Sequence, residues 1–175
     1  MLVNSFAHTI STKPVDRYTR PEFTENGPLA IDSGRHPILE SIHNDFIPNN
    51  IFLSEASNMV IVMGPNMSGK STYLQQICLI VILAQIGCYV PARFASLRVV
   101  DRIFTWMGTG DSLECNSSTF MTEMRETSFV MQNVSPRSLI VTDELGRATS
   151  SADGFAITWS CCEHLVSLKA YLLHT

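Results

Sequence analysis

None of the five cysteines (Cys78, Cys88, Cys115, Cys161, Cys162) stands in C-x-x-C spacing. That argues against a zinc framework or a disulfide scaffold, and the set reads as reduced thiols of a cytosolic or nuclear protein. Long apolar runs are also missing. The longest, Ile77 to Ala84, is far short of the ~20 residues that span a bilayer. The start, Met1-Leu2-Val3-Asn4-Ser5, has no basic region followed by an apolar one, so no secretory signal is expected. Basic charge is scarce: 12 Lys and Arg stand against 16 Asp and Glu, a net charge of −4. Taken whole, the chain is not a basic nucleic-acid binder, and any DNA contact falls to other segments or a partner. What remains is ordinary globular composition, 45% hydrophobic over 175 residues, enough for one domain with a real core.

The strongest local signal is Gly64-Pro65-Asn66-Met67-Ser68-Gly69-Lys70-Ser71. The pattern G-x-x-x-x-G-K-S is that of a phosphate-binding loop of nucleoside triphosphatases. Glycine permits a tight turn whose backbone comes close to a ligand. Successive N–H groups then face one concavity and hold phosphate oxygens. Lys70 is expected to reach the β and γ phosphates, and the Ser71 hydroxyl to bind Mg²⁺, which prefers oxygen ligands. The flanks agree. Met59-Val60-Ile61-Val62-Met63 reads as a short buried parallel strand. Ser71 to Ile86 reads as a helix, apolar nearly all round and so buried on most faces, with Gly87 as its stop.

Before the loop, residues 1–28 are polar and broken by Pro14, Pro21, Gly27 and Pro28, and read as a linker from an upstream region. Leu29-Ala30-Ile31 and Ile51-Phe52-Leu53 read as strands. His36 is expected to be a satisfied surface or core histidine. Phe46 has two readings, core residue or base-stacking aromatic, and periodicity favours the core. After the loop, Leu97–Val100 and Ile103–Trp106 are strand material. A helix is expected from Thr119 to Asn133, with Phe120, Met124, Phe129 and Val130 near its buried face, ended by Pro136. Its serine-rich start either caps the helix or presents N–H groups and hydroxyls to a phosphate.

Ser138–Thr142 predicts a strand ending in Asp143-Glu144. At the C-terminal edge of a parallel strand, Asp143 is placed to hold Mg²⁺ through water or the Ser71 hydroxyl, and Glu144 to orient and deprotonate an attacking water. The plainer reading is a strand capped by solvated acids. A helix from about Phe155 to Leu168 and a strand at Ala170–Leu173 follow.

Several stretches together resemble the ATPase domain of the MutS family: Gly-Pro-Asn-Met-Ser-Gly-Lys-Ser-Thr-Tyr (64–73), Ser-Thr-Phe-Met-Thr-Glu-Met (118–124) and Asp-Glu-Leu-Gly-Arg-Ala-Thr-Ser (143–150), with Arg-His-Pro-Ile-Leu-Glu (35–40). The likeness covers nearly all of the chain from about residue 29. Within the family it looks most like the meiotic branch, in a plant-like form. The resemblance implies an α/β phosphate-loop NTPase of ABC type, a mostly parallel sheet flanked by helices over residues 29–175, working as a dimer with two nucleotides sandwiched between subunits. It implies ATP and Mg²⁺ as cofactors. Gly64, Pro65, Asn66, Met67, Ser68, Gly69, Lys70, Ser71 and Thr72 would hold phosphates, and Ser71 and Asp143 the metal. Glu144 would activate water. Phe46 and Ile47 fall where the family contacts adenine, which reverses the core reading of Phe46. Ser118 falls on the signature serine that acts on the partner's γ-phosphate. By the same resemblance the protein would be nuclear. It would pair with a sister meiotic homologue and bind branched DNA such as Holliday junctions through domains outside this stretch.

Three features depart from the family pattern. Ala148 stands where most members have glycine. His174 arrives too early in register to be the γ-phosphate-sensing histidine. The helical dimerisation segment and upstream DNA-binding domains are lacking, which predicts a truncated chain. These departures keep open a catalytically inactive nucleotide-binding remnant with only an interaction role. A transporter or chromosome-structure ATPase would carry a Leu-Ser-Gly-Gly-type signature, where this sequence has Ser118-Thr119-Phe120-Met121.

Overall fold

The computed structural model describes residues 8, 11, 18–42, 45–107 and 119–175. The chain forms two compact units. The first comprises Met1–Ser54 and Thr72–Val99, the second Glu55–Ser71 and Val100–Thr175.

In the first unit, β1 (Glu22–Thr24), β2 (Leu29–Gly34), β3 (Asn49–Leu53) and β5 (Phe94–Arg98) form a sheet in the order β1-β5-β2-β3. β2 runs antiparallel to β3 and β5, and β1 runs parallel to β5. This corrects two expectations. The stretch read as a linker supplies β1, and Thr19 bridges Val90. A mostly parallel sheet describes only one of two sheets. The strand expected at 97–100 begins earlier, at Phe94, because β2 pairs with Phe94, Ala95 and Ser96. A one-turn helix, α1 (Leu39–Ile42), precedes β3.

Helix α2 (Lys70–Gln85) starts in the second unit, and from Thr72 onward it belongs to the first. Its Leu74, Ile77, Ile80, Val81 and Ala84 are buried, as are Leu29, Ile31, Ile51 and Leu53 of the sheet. The helix is less enclosed than its composition suggests, since Ile82 is exposed. Gly87 follows at φ 88, the left-handed conformation glycine adopts without a steric penalty. His36 is a satisfied core histidine: it is buried, and its Nδ1 accepts from the backbone N–H of Ile38 at 3.3 Å and of Leu39 at 3.2 Å. Burial pushes its imidazole below the usual range.

In the second unit, β4 (Met59–Ile61), β6 (Ile103–Met107), β7 (Leu139–Asp143) and β8 (Tyr171–His174) form an all-parallel sheet in the order β4-β8-β7-β6. Strands β7 and β8 occupy the centre, and their continuous apolar runs are buried, as strands covered on both faces are. Helices α3 (Thr119–Asn133) and α4 (Ser151–Ser167) belong to this unit. Ile140, Leu165, Ala170 and Leu172 make a core against which Phe104, Val130 and Met131 pack. Asn58 closes the entry to β4, donating through Nδ2 to Val166 O at 3.0 Å and Ala170 O at 2.9 Å.

Helix α3 differs from expectation in its buried face. Phe129 is 61% exposed and meets Phe104 edge-on, while the one buried residue of the helix is Glu123. Helix α4 begins four residues earlier than expected. Ser150 is its N-cap, with Oγ accepting from the Asp153 amide, and this side chain satisfies an otherwise unpaired N–H of the first turn.

Candidate active site

The glycine loop leaves β4 at the C-terminal edge of the parallel sheet. Val62 N donates to His174 O at 2.7 Å, and the chain then turns through Gly64–Gly69. Met67 lies at φ 64 and Gly69 at φ 91, and left-handed residues of this kind aim successive N–H groups into a concavity that suits anions. A Cβ at Gly69 would meet nothing within 4 Å, so its backbone angle, not lack of space, is what calls for glycine. Gly64 through Gly69 are all exposed. Lys70 Nζ donates to the carbonyls of Gly64 at 3.0 Å and Pro65 at 3.2 Å, which sets the ammonium over the loop.

The next residue joins the loop to the acidic strand end. Ser71 Oγ donates to Asp143 Oδ2 at 2.5 Å. The other oxygen of Asp143, Oδ1, accepts from Thr175 Oγ1 at 2.5 Å. The structure therefore brings together Gly64–Ser71 from one edge of the sheet and Asp143 from its centre. The donors are hydroxyl and carboxylate oxygens, the class a hard divalent cation takes.

Beyond Asp143 the backbone turns sharply. Glu144 sits at φ 56 and Gly146 at φ 86. The Glu144 carboxylate pairs with Arg147 Nη1 at 2.5 Å, at an exposed position. Three contacts fix the turn. Gly146 N donates to Glu123 Oε1 at 2.6 Å, and Thr158 Oγ1 donates to Leu145 O at 2.8 Å. Gly146 lies against Gly154, where an added Cβ would come within 2.2 Å of Gly146 O. Ala148 is compatible with this turn because the left-handed positions are Glu144 and Gly146, not residue 148.

His174 lies beside Thr142 across the β7–β8 pair, with Nδ1 and Thr142 Oγ1 at 2.8 Å. Burial holds its imidazole below the usual range, partly opposed by the negative charge of Asp143.

The other anticipated residues divide differently. Phe46 is half-buried and Ile47 is 77% exposed, both in the first unit, which also holds Thr72. Ser118 lies outside the described residues. Sequence reasoning did not single out Glu123. The signal was present: at helical spacing Glu123 falls on the stripe of Phe120, Thr127 and Val130, a carboxylate among partly buried neighbours.

An α/β unit with a glycine loop at a parallel sheet edge and an acidic strand end beside it defines a candidate phosphate-binding protein. The profile of MutS domain V matches residues 60–175, and the chain belongs to the MutS family. It is 81% identical to the DNA mismatch repair protein MSH4 of Arabidopsis thaliana, over 98% of this chain and 22% of that protein. To MutS protein homolog 4 of Homo sapiens it is 51% identical, over 97% of this chain and 18% of that protein. To the DNA mismatch repair protein MutS of Protochlamydia amoebophila it is 45% identical, over 90% of this chain and 19% of that protein. The chain thus spans about a fifth of the length of these relatives, and within the family it is MSH4-like. Among the described residues no helix is long and apolar enough to cross a membrane.

Proposed function

We propose that residues 29–175 form the ATP-binding and ATP-hydrolysing domain, of phosphate-loop ABC type, of a MutS-type DNA-clamp subunit acting in meiotic recombination in the nucleus. The observation that supports it most is the hydrogen bond between Ser71 of the glycine loop and Asp143 at the end of β7. It joins a phosphate cradle to a carboxylate at the place where a nucleotide's metal would be held.

In this reading Gly64–Thr72 bind the phosphates of ATP, with Lys70 as the cation on the β and γ groups. Ser71 and Asp143 hold Mg²⁺, which when bound neutralises charge on phosphate oxygens. Glu144 orients the attacking water and accepts its proton as the water oxygen attacks the γ phosphorus and the bond to the β-phosphate oxygen breaks. Phe46 and Ile47 contact adenine. Ser118 acts in trans on the nucleotide of a second subunit, a sister meiotic homologue, so that ATP closes the dimer on branched DNA and hydrolysis releases it. With a net charge of −4, this stretch leaves DNA contact to other segments.

Ser71→Ala tests the metal site. Its dissociation constant for Mg²⁺-ATP is expected to rise about tenfold, ~1.4 kcal/mol. Metal-free ATP should bind about as before, both read by equilibrium titration with and without chelator. Unchanged affinity for Mg²⁺-ATP would remove the metal role. Ser118→Ala should leave nucleotide binding intact and slow hydrolysis at the partner's site, and an unaltered rate in the assembled dimer counts against the in-trans role.

A second reading is a nucleotide-binding module without turnover. The Glu144–Arg147 ion pair favours it, because it engages the carboxylate that hydrolysis needs. Binding of ATP with no phosphate release in the assembled dimer would decide for it.

A further inference from the structure

Glu123 is the buried carboxylate behind the Glu144 turn. It is 8% exposed, Oε1 accepts from Gly146 N at 2.6 Å, and Oε2 is buried with no hydrogen-bond partner among the described residues. A buried carboxylate oxygen without a partner is costly, whereas a glutamine would make the same bond to the Gly146 amide without burying a charge. Stability alone does not select glutamate here.

What it holds is a strained backbone. Glu144 is a non-glycine residue at φ 56, a left-handed conformation that persists only where its surroundings over-determine it, while the neighbouring Gly146 takes φ 86 freely. Thr158 and Gly154 constrain the turn from α4, and Glu123 constrains it from α3. The tie to α3 is an amide-to-carboxylate bond, stronger than a neutral one.

We propose that Glu123 is a positioning residue. It fixes the backbone at Gly146, and thereby the Glu144 carboxylate, at the distance from the phosphate site that proton transfer from water requires. It also makes α3 and the Glu144 turn move as one body. The proposal rests on Glu144 being the base.

The test compares Glu123→Ala and Glu123→Gln in the full chain, in the assembly that turns over ATP. In Glu123→Ala the Gly146 amide should exchange with solvent about tenfold faster or more, since it has lost its acceptor. ATP hydrolysis should fall about tenfold or more, as misplacement of a reacting group does, with the dissociation constant for ATP within about threefold of the parent. Glu123→Gln keeps an acceptor oxygen and should restore both amide protection and most of the rate. Full hydrolysis in Glu123→Ala, or a failure of Glu123→Gln to rescue, overturns the proposal. Should the alanine variant not fold, the glutamine variant and the parent decide: an unprotected Gly146 amide in the parent is equally fatal. The two readings fail separately. Undiminished hydrolysis in Glu144→Gln removes the base, while loss there with none in Glu123→Ala removes only the positioning role.

Discussion

Glu144→Gln is expected to bind ATP as the parent chain does and to hydrolyse it about 10²–10⁴-fold more slowly. The amide has nearly the same shape and hydrogen-bonding reach, but it takes no proton from water at neutral pH. The change also turns the ion pair with Arg147 into at most a neutral hydrogen bond. That pair is exposed, with 81% of the Arg147 side chain and 40% of the Glu144 side chain open, so its loss costs under about 1 kcal/mol of stability. Unfolding is therefore not the expected cause of lost turnover. Phosphate release and equilibrium binding, measured side by side, check this. A variant that keeps more than about a tenth of the parent rate would show that the proton leaves by another route.

Lys70→Ala is expected to weaken ATP binding about a hundredfold, roughly 3 kcal/mol, the magnitude of charge-assisted contacts to phosphate. Its ammonium already lies over the loop, on the Gly64 and Pro65 carbonyls, so a phosphate entering the cradle meets a charge close at hand. The loop's turn rests on the left-handed Met67 and Gly69, which the variant retains. The fold should hold, with a thermal transition close to that of the parent. A dissociation constant within about threefold of the parent would take Lys70 out of the phosphate site.

Much of the second unit's sheet was legible because its signals are local. The run at Met59 and the apolar strand ending at Asp143 each carry their parallel-strand reading in a few residues, although β4 is not buried as expected, with Ile61 and Met63 exposed. Other features depend on partners distant in sequence. Glu22–Thr24 looks like linker because its strand character comes from pairing with β5, whose residues lie far along the chain. The start of β5 escapes a local reading for the same reason, being set by register with β2 rather than by the β-branched content of residues 97–100. The division into two units follows contacts that no local pattern encodes. Phe129 is expected near the buried face of its helix, but it is exposed and the buried residue there is Glu123. The Glu123 signal was readable and was passed over, since a glutamate in a helix is usually solvated.

The strand order β4-β8-β7-β6 has a consequence for biosynthesis. Strand β4 leaves the ribosome before β8, the strand it pairs with, and the flanking residues that lock the two together, Asn58 and Ala170, are 112 positions apart. Until Tyr171–His174 are made, the edges of β4 and β7 that will receive β8 stay open, and exposed strand edges of this kind pair with other chains. The nascent glycine loop is thus tethered to an unfinished sheet until β8 is made.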